Sequence, residues 1–281
     1  IEFLLSSLTD SLLFSTSCAI IMFSFIYSPD RLPPSYNSWI KSASGTDIRL
    51  IQTLRHMREG KLTYGVKSEY NYPLIQLCEE FKWPMEWADN TKTIPVPCSM
   101  VHMKVGQSCE YHAILRLIKS SFWALSTYIP LNMILAMQNP SVNAIKRALR
   151  SSVRSSLFLG SFVSLFYYGL CLFRTRLGPL IYGDSVDKRI ETDSGLCTAS
   201  GSMLCGWSIL IESAKRRKEL SLFVAPRAMA TLFPRYLPPN QQWKEALAFS
   251  LSISVLFTAV AEKPNRVRGF LGKVLQKVLV N

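Results

Sequence analysis

The chain has 281 residues, 48 % hydrophobic and only 18 % charged, with 32 Lys and Arg against 19 Asp and Glu, a formal net charge of +13. A soluble globular chain carries about 25 % charged residues, and here the deficit is uneven: charge vanishes from several long stretches and crowds between them. On a soluble chain such a basic balance would point to nucleic acid. Here the basic residues flank apolar stretches, which argues for lipid head groups and membrane topology instead, with no nucleic acid as partner.

The cysteines number seven, and four of them (Cys18, Cys171, Cys197 and Cys205) lie inside apolar stretches. Those four read as small buried hydrophobes rather than members of a secreted disulfide framework. The chain begins at Ile1 rather than Met, so a preceding segment is expected.

A hydrocarbon core of about 30 Å asks for about 20 charge-free residues in a helix. In chain order, the first window with that character is Ser11–Ser28, closed by Pro29. The second is Ser120–Gln138, with Pro130 inside it, and the third is Ser155–Phe173, bracketed by Arg154 and Arg174. The fourth is Ser194–Ile211, and a shorter fifth, Ala246–Ala261, spans by tilt or by snorkelling of Lys244 and Lys263. The expected architecture is therefore all-α, a multi-pass membrane bundle of about five helices. It divides into a first membrane helix (residues 1–28), a polar segment (29–119) and a four-helix membrane unit (120–281).

The polar segment opens on Arg31-Leu32-Pro33-Pro34-Ser35-Tyr36, an expected extended exit from the bilayer. A helix is expected over residues 46–59, with Thr46 or Asp47 as N-cap and Gly60 as stop, and with His56 on its surface. Tyr72 to Trp87 mixes aromatics with Glu and Lys and is expected to lie on the membrane surface.

Small residues recur every four positions in the later windows. They are Ser152, Ser156, Gly160 and Ser164 in the third, Thr198, Ser202 and Gly206 in the fourth, and Ser250, Ser254 and Thr258 in the fifth. That interval lines them on one face, where they let helix backbones approach closely. The loops 138–154 and 212–245 share one side of the bilayer and hold eleven basic residues against three acids, whereas Arg174–Asp193 has four of each. The basic side is therefore expected to face the cytosol or the matrix.

The one constellation with metal-ligand character is Cys98-x3-His102-x6-Cys109-x2-His112. Two thiolates and two imidazoles make an acceptable tetrahedral zinc set, and four protein ligands would close the shell around a structural ion. A Cys98–Cys109 disulfide and a packed elbow of free thiols are the alternatives. No phosphate-binding glycine loop, nucleophile elbow or His-Glu-x-x-His occurs. No apolar window contains an Asp, Glu, Lys, Arg or His, which argues against an ion-coupled transporter.

The stretch Ser155-Ser156-Leu157-Phe158-Leu159-Gly160-Ser161-Phe162-Val163-Ser164, with Cys171-Leu172-Phe173-Arg174 after it, resembles the transmembrane protein 135 family. Gly201–Leu210 and Leu222-Phe223-Val224-Ala225-Pro226-Arg227 resemble the next part of that pattern, and Cys98–His112 falls where the family has its cysteine-rich segment. The likeness covers most of the chain and matches the C-terminal half of a full-length member. A distant similarity extends to the mitochondrial inner-membrane import translocases. The resemblance implies a multi-pass protein of peroxisomes or mitochondria, tied to lipid metabolism and organelle dynamics, and it brings no catalytic residues. The expectation is a non-enzymatic scaffold or conduit whose partners are membrane lipids and other membrane subunits or a second copy. The rivals are an accessory subunit of a larger complex and a membrane metalloenzyme at the Cys/His cluster, where Glu110 is the only close acid or base.

Overall fold

The computed structural model describes residues 2–138, 141–233, 235–236 and 238–262. Twelve α-helices joined by short 3-10 and π turns are present, and no strand occurs among the described residues, so the fold is all-α as expected.

Local chemistry sets the boundaries. α1 (Glu2–Tyr27) carries the first apolar window and stops just before Pro29, which has no backbone N–H to continue the ladder. α2 (Pro34–Ser44) starts on proline and closes on Gly45 in the left-handed region (φ 57°). α3 (Ile48–Arg58) begins at Asp47, not Thr46: the Asp47 carboxylate accepts from Arg49 N at 2.8 Å. α4 (Tyr72–Phe81) and the one-turn α5 (Cys98–Val101) complete the polar segment. α6 (Cys109–Met137) and α7 (Val142–Leu172) are capped by the hydroxyls of Ser108 and Ser141. A π turn (Phe173–Leu177), α8 (Gly178–Tyr182), α9 (Val186–Glu191) and a second π turn (Thr192–Leu196) lead into α10 (Cys197–Cys205), which a 3-10 turn extends to Ile211. α11 (Ala214–Thr231) and α12 (Gln242–Glu262) follow.

Four stretches are long and apolar enough to cross a membrane: Leu8–Tyr27, Val142–Tyr182, Val186–Ile211 and Pro239–Glu262. They correspond to the first, third, fourth and fifth windows, the pattern of a multi-pass membrane protein. The second window, Ser120–Gln138, is not among them. It lies on α6, which runs antiparallel to α7, but Ser120, Ser121, Ser126, Thr127, Pro130 and Asn132 dilute its apolar content. Four described helices, rather than about five, therefore meet the requirement.

The chain divides into two compact units, residues 1–233 and 234–281. The changes of composition at residues 28 and 119 both fall inside the first unit. In the second unit, Ser250, Ser254 and Thr258 are exposed on α12, and each hydroxyl donates to a carbonyl of its own helix (Ala246, Ser250 and Ser254). The packing face expected there is not formed among the described residues. Lys263, expected to snorkel, lies outside them.

In the first unit α7 runs between α6 and α10, and α1 packs on α10 and α11. The contacts close at small residues. A Cβ on Gly160 would overlap Ser121 Oγ and lie 2.8 Å from the Leu117 carbonyl of α6, and one on Gly206 would overlap Ser15 of α1. One on Gly169 would lie 2.9 Å from Gly201 Cα. Ser156 and Ser202 are buried in the same seams, Thr198 shares a hydrogen bond of 3.0 Å with Tyr27, and Ser164 donates to Ala113 O at 2.8 Å. Ser152 donates to Tyr128 O at 3.1 Å while accepting from Asn132 Nδ2 at 2.9 Å. Dispersion and hydrogen bonding at such close range hold helices together where lipid removes the hydrophobic drive.

The polar segment has its own core. Leu62, Leu74, Leu77 and Met100 are fully buried there, with Phe81, Trp83 and Trp87 around the edge. Tyr72–Trp87 is thus built into a small helical core. His56 sits half-buried on α3, its Nδ1 3.0 Å from Tyr70 O.

Candidate metal centre

The polar segment returns to the membrane helices through a sharp reversal. His102 ends α5, Met103 and Lys104 adopt left-handed φ values of 52° and 68°, and Gly106 one of 106°. This folds the chain back so that Cys109, first residue of α6, comes beside Cys98, first residue of α5. The six residues between His102 and Cys109 form this tight turn.

The result is a cluster in which one ligand atom each from Cys98, His102 and Cys109 lie within 4.8 Å of one another, a group that can hold a metal ion. His102 is fully buried and its ring is oriented. Its Nδ1 lies 2.8 Å from the Gly106 carbonyl, and because a carbonyl only accepts, Nδ1 carries the proton. The Nε2 lone pair is then free, and it points at Cys171 Sγ, 3.4 Å away. Burial holds the His102 imidazole below its ordinary pKa, with the Gly106 bond opposing, so the ring is neutral at neutral pH. A neutral imidazole with one nitrogen fixed by a carbonyl and the other free is the form that ligates metals.

Cys171, in the last turn of α7, also meets the Cys109 thiol. It is buried, and the sequence had presented it as a space-filling hydrophobe. The signal that could have marked it is its place at the end of the window, three residues before Arg174. His112 does not join the cluster. Its ring stacks on His102 with centroids 4.6 Å apart and meets Tyr167 edge-on, and neither ring nitrogen has a hydrogen-bond partner. Burial, then the charges of Arg116 and His102, push its pKa down to about 3, so it packs as a neutral ring. All seven cysteines are free, so the Cys98–Cys109 disulfide is not present. Burial pushes the Cys98 thiol up, opposed by the nearby Arg174 guanidinium. Glu110, the acid nearest in sequence, is half-buried and engaged by Arg176 and Ser108.

Beside the cluster lies an arrangement the sequence did not announce. Arg174 and Asp193, flanking residues of the third and fourth windows, sit on the two π turns and form a buried ion pair: Nε to Oδ1 at 2.6 Å, and the second guanidinium nitrogen to Oδ2 at 2.9 Å. Tyr64 of the polar segment donates to Asp193 Oδ2 and accepts from Val96 N at 3.1 Å, and burial drives its phenol pKa upward. The polar segment is therefore joined to the ends of two membrane-length helices at two adjacent points, the thiol–imidazole cluster and this triad. The donor set Cys98, His102 and Cys109 offers coordination chemistry. Comparison of the chain with protein-family models, curated proteins and solved structures gave no match.

Proposed function

We propose that the protein is a non-enzymatic membrane scaffold or conduit in which a zinc ion staples the polar segment to the membrane helices. The observation that carries this reading is the convergence of Cys98, His102 and Cys109 within 4.8 Å of one another, with Cys171 Sγ at the end of α7 lying 3.4 Å from His102 Nε2. Zinc prefers sulfur and imidazole donors at about 2.3 and 2.0–2.1 Å in a tetrahedron, which spaces ligand atoms by roughly 3.5–3.8 Å. The 3.4 Å separation of His102 Nε2 and Cys171 Sγ suits that spacing. With Cys171 as fourth donor the shell is closed, leaving no position for a reacting water, so the ion is structural. The engagement of Glu110 by Arg176 supports the same reading over a metalloenzyme.

The resemblance of Ser155–Arg174 to the transmembrane protein 135 family supports a peroxisomal or mitochondrial membrane as the compartment, and lipid-linked cargo and other membrane subunits or a second copy as partners. The close-packed seams at Gly160, Gly169, Gly201 and Gly206 suit a rigid bundle that organises lipid or protein around it.

The test is metal analysis of the full chain purified in detergent without added metal. One zinc per chain is expected, lost in Cys98→Ser, Cys109→Ser and Cys171→Ser and kept in His112→Ala. Zinc content that is absent, or indifferent to all three cysteines, would remove the staple. Co-localisation of a tagged chain with peroxisomal and mitochondrial markers tests the compartment separately.

A further inference from the structure

Arg147, Arg150 and Arg154 recur at intervals of three and four along the start of α7, which puts them on one face. That face meets the start of α11, and with Ser151, Ser213, Lys215, Arg216 and Glu219 the three arginines line an open cleft of about 510 Å³. Ligand pockets run from about 300 to 1,000 Å³. Five cations face one carboxylate across this space. Among the described residues Arg147, Arg150, Arg154 and Lys215 form no ion pair, and Arg216 reaches only the buried Glu212, at 3.6 Å, while donating to Ser155.

The start of α11 adds to the positive potential. Ser213 makes no side-chain cap and the first turn holds no acid, so the N-terminal N–H groups have no side-chain acceptor. Four cations in a row, Lys215 to Lys218, occupy the helix end where the macrodipole disfavours them. Arg217 Nε is buried without a partner. Two helices thus bring like charges together around open space, which is unfavourable unless an anion fills it.

The cleft also lies at headgroup depth. The charge-free run of α7 begins just after Arg154, and the apolar stretch Val186–Ile211 ends just before Ser213. A second cleft, of about 370 Å³, shares Arg216 and Glu219 and continues along Tyr128, Phe158, Leu220 and Phe223. It offers an apolar wall to a chain attached to whatever anion the basic cleft holds.

We propose that this face binds the phosphates of a lipid headgroup carrying two or more negative charges. Arg147, Arg150, Arg154 and Lys215 contact the phosphates, and an acyl chain lies along the Phe158–Phe223 wall. The phosphate chemistry follows from the cleft itself; that it belongs to a lipid rests on the membrane reading.

The experiment reconstitutes the full chain in phosphatidylcholine nanodiscs with and without one-fifth diphosphatidylglycerol and measures retained lipid by native mass spectrometry. The variants are R150A/R154A/K215A and, as a charge-matched control, K41A/K67A/K92A, three exposed cations of the polar segment. Basic residues at a membrane surface contribute about a factor of five each. Retention of diphosphatidylglycerol is therefore expected to fall about tenfold or more in the triple variant and to stay unchanged in the control. In a parallel arm, inorganic pyrophosphate is titrated onto the chain in dodecyl maltoside. Pyrophosphate binding that depends on the three cations, with no preference for the anionic lipid, overturns the lipid source. Equal behaviour of wild type and triple variant in both arms overturns the site. Should the triple variant aggregate, Arg150→Gln, altered at an exposed side chain, carries the same test with a smaller shift. Zinc content is unaffected by these changes, so this result stands or falls apart from the staple.

Discussion

The buried pair Arg174–Asp193 offers the sharpest test of how the polar segment is held. The two side chains are only 6 % and 2 % accessible, so water cannot replace a lost partner. Asp193→Ala leaves the Arg174 guanidinium with only the Tyr64 hydroxyl, at 3.4 Å. Breaking a buried pair from one side costs about 3–5 kcal/mol, because the remaining charge stays desolvated. For a chain of this size that corresponds to a fall in Tm of roughly 5–9 °C. Removing both charges is different: Arg174→Met with Asp193→Leu discards the desolvation penalty along with the attraction, and such replacements are often neutral or stabilising. Tyr64→Phe belongs in the same cycle. It takes a donor from the carboxylate and an acceptor from Val96 N, at an expected cost of about 2 kcal/mol. Thermal unfolding of the three purified detergent-solubilised variants and the wild type, followed by circular dichroism, gives the values. If Asp193→Ala unfolds within about 1 kcal/mol of wild type, the pair is hydrated in solution and the argument from burial fails.

Gly206→Leu and Gly160→Leu drive side chains into Ser15 and Ser121, and each is expected to cost roughly 1–3 kcal/mol through overpacking, read as a lower Tm. A shift below a few tenths of a kcal/mol at both sites would mean that the seams open freely. Chelation, or Cys109→Ser, is expected to raise amide hydrogen exchange across residues 95–119 and leave the α7–α10 seam protected; uniform exchange throughout would contradict a local staple. Asp47→Ala removes the cap of α3 at a cost of about 1 kcal/mol. The Arg49 side chain, followed by its backbone N–H, holds the Asp47 carboxyl below its ordinary 3.8. The unfolded chain therefore takes up the proton first, and the contribution of Asp47 is complete above about pH 3.8 and lost as pH falls further. An unchanged acid-unfolding profile in Asp47→Asn would refute that assignment.

The membrane-length helices were legible in the sequence because spanning is a one-dimensional requirement: enough consecutive residues without charge. Helix ends such as Asp47 and Pro29 were legible for a similar reason, since a cap or a missing N–H acts within one turn. The small-residue periodicity located the faces around Gly160 and Gly206, yet the same spacing on α12 produced exposed hydroxyls turned onto their own helix. Periodicity names a face without naming a neighbour. The window on α6 was read for its lack of charge, and its serines, threonine, proline and asparagine were underweighted. At the Cys/His elbow, nearness in sequence selected His112, three residues from Cys109, whereas the tertiary structure brings in Cys171 from the end of α7 and leaves His112 stacked behind His102. Coordination depends on where lone pairs converge, and the reversal at Met103–Gly106 together with the packing of α6 along α7 decides that. Arg174 and Asp193 were visible as flanking charges, but only the meeting of two π turns under Tyr64 makes them partners, because burial and pairing are properties of the folded chain.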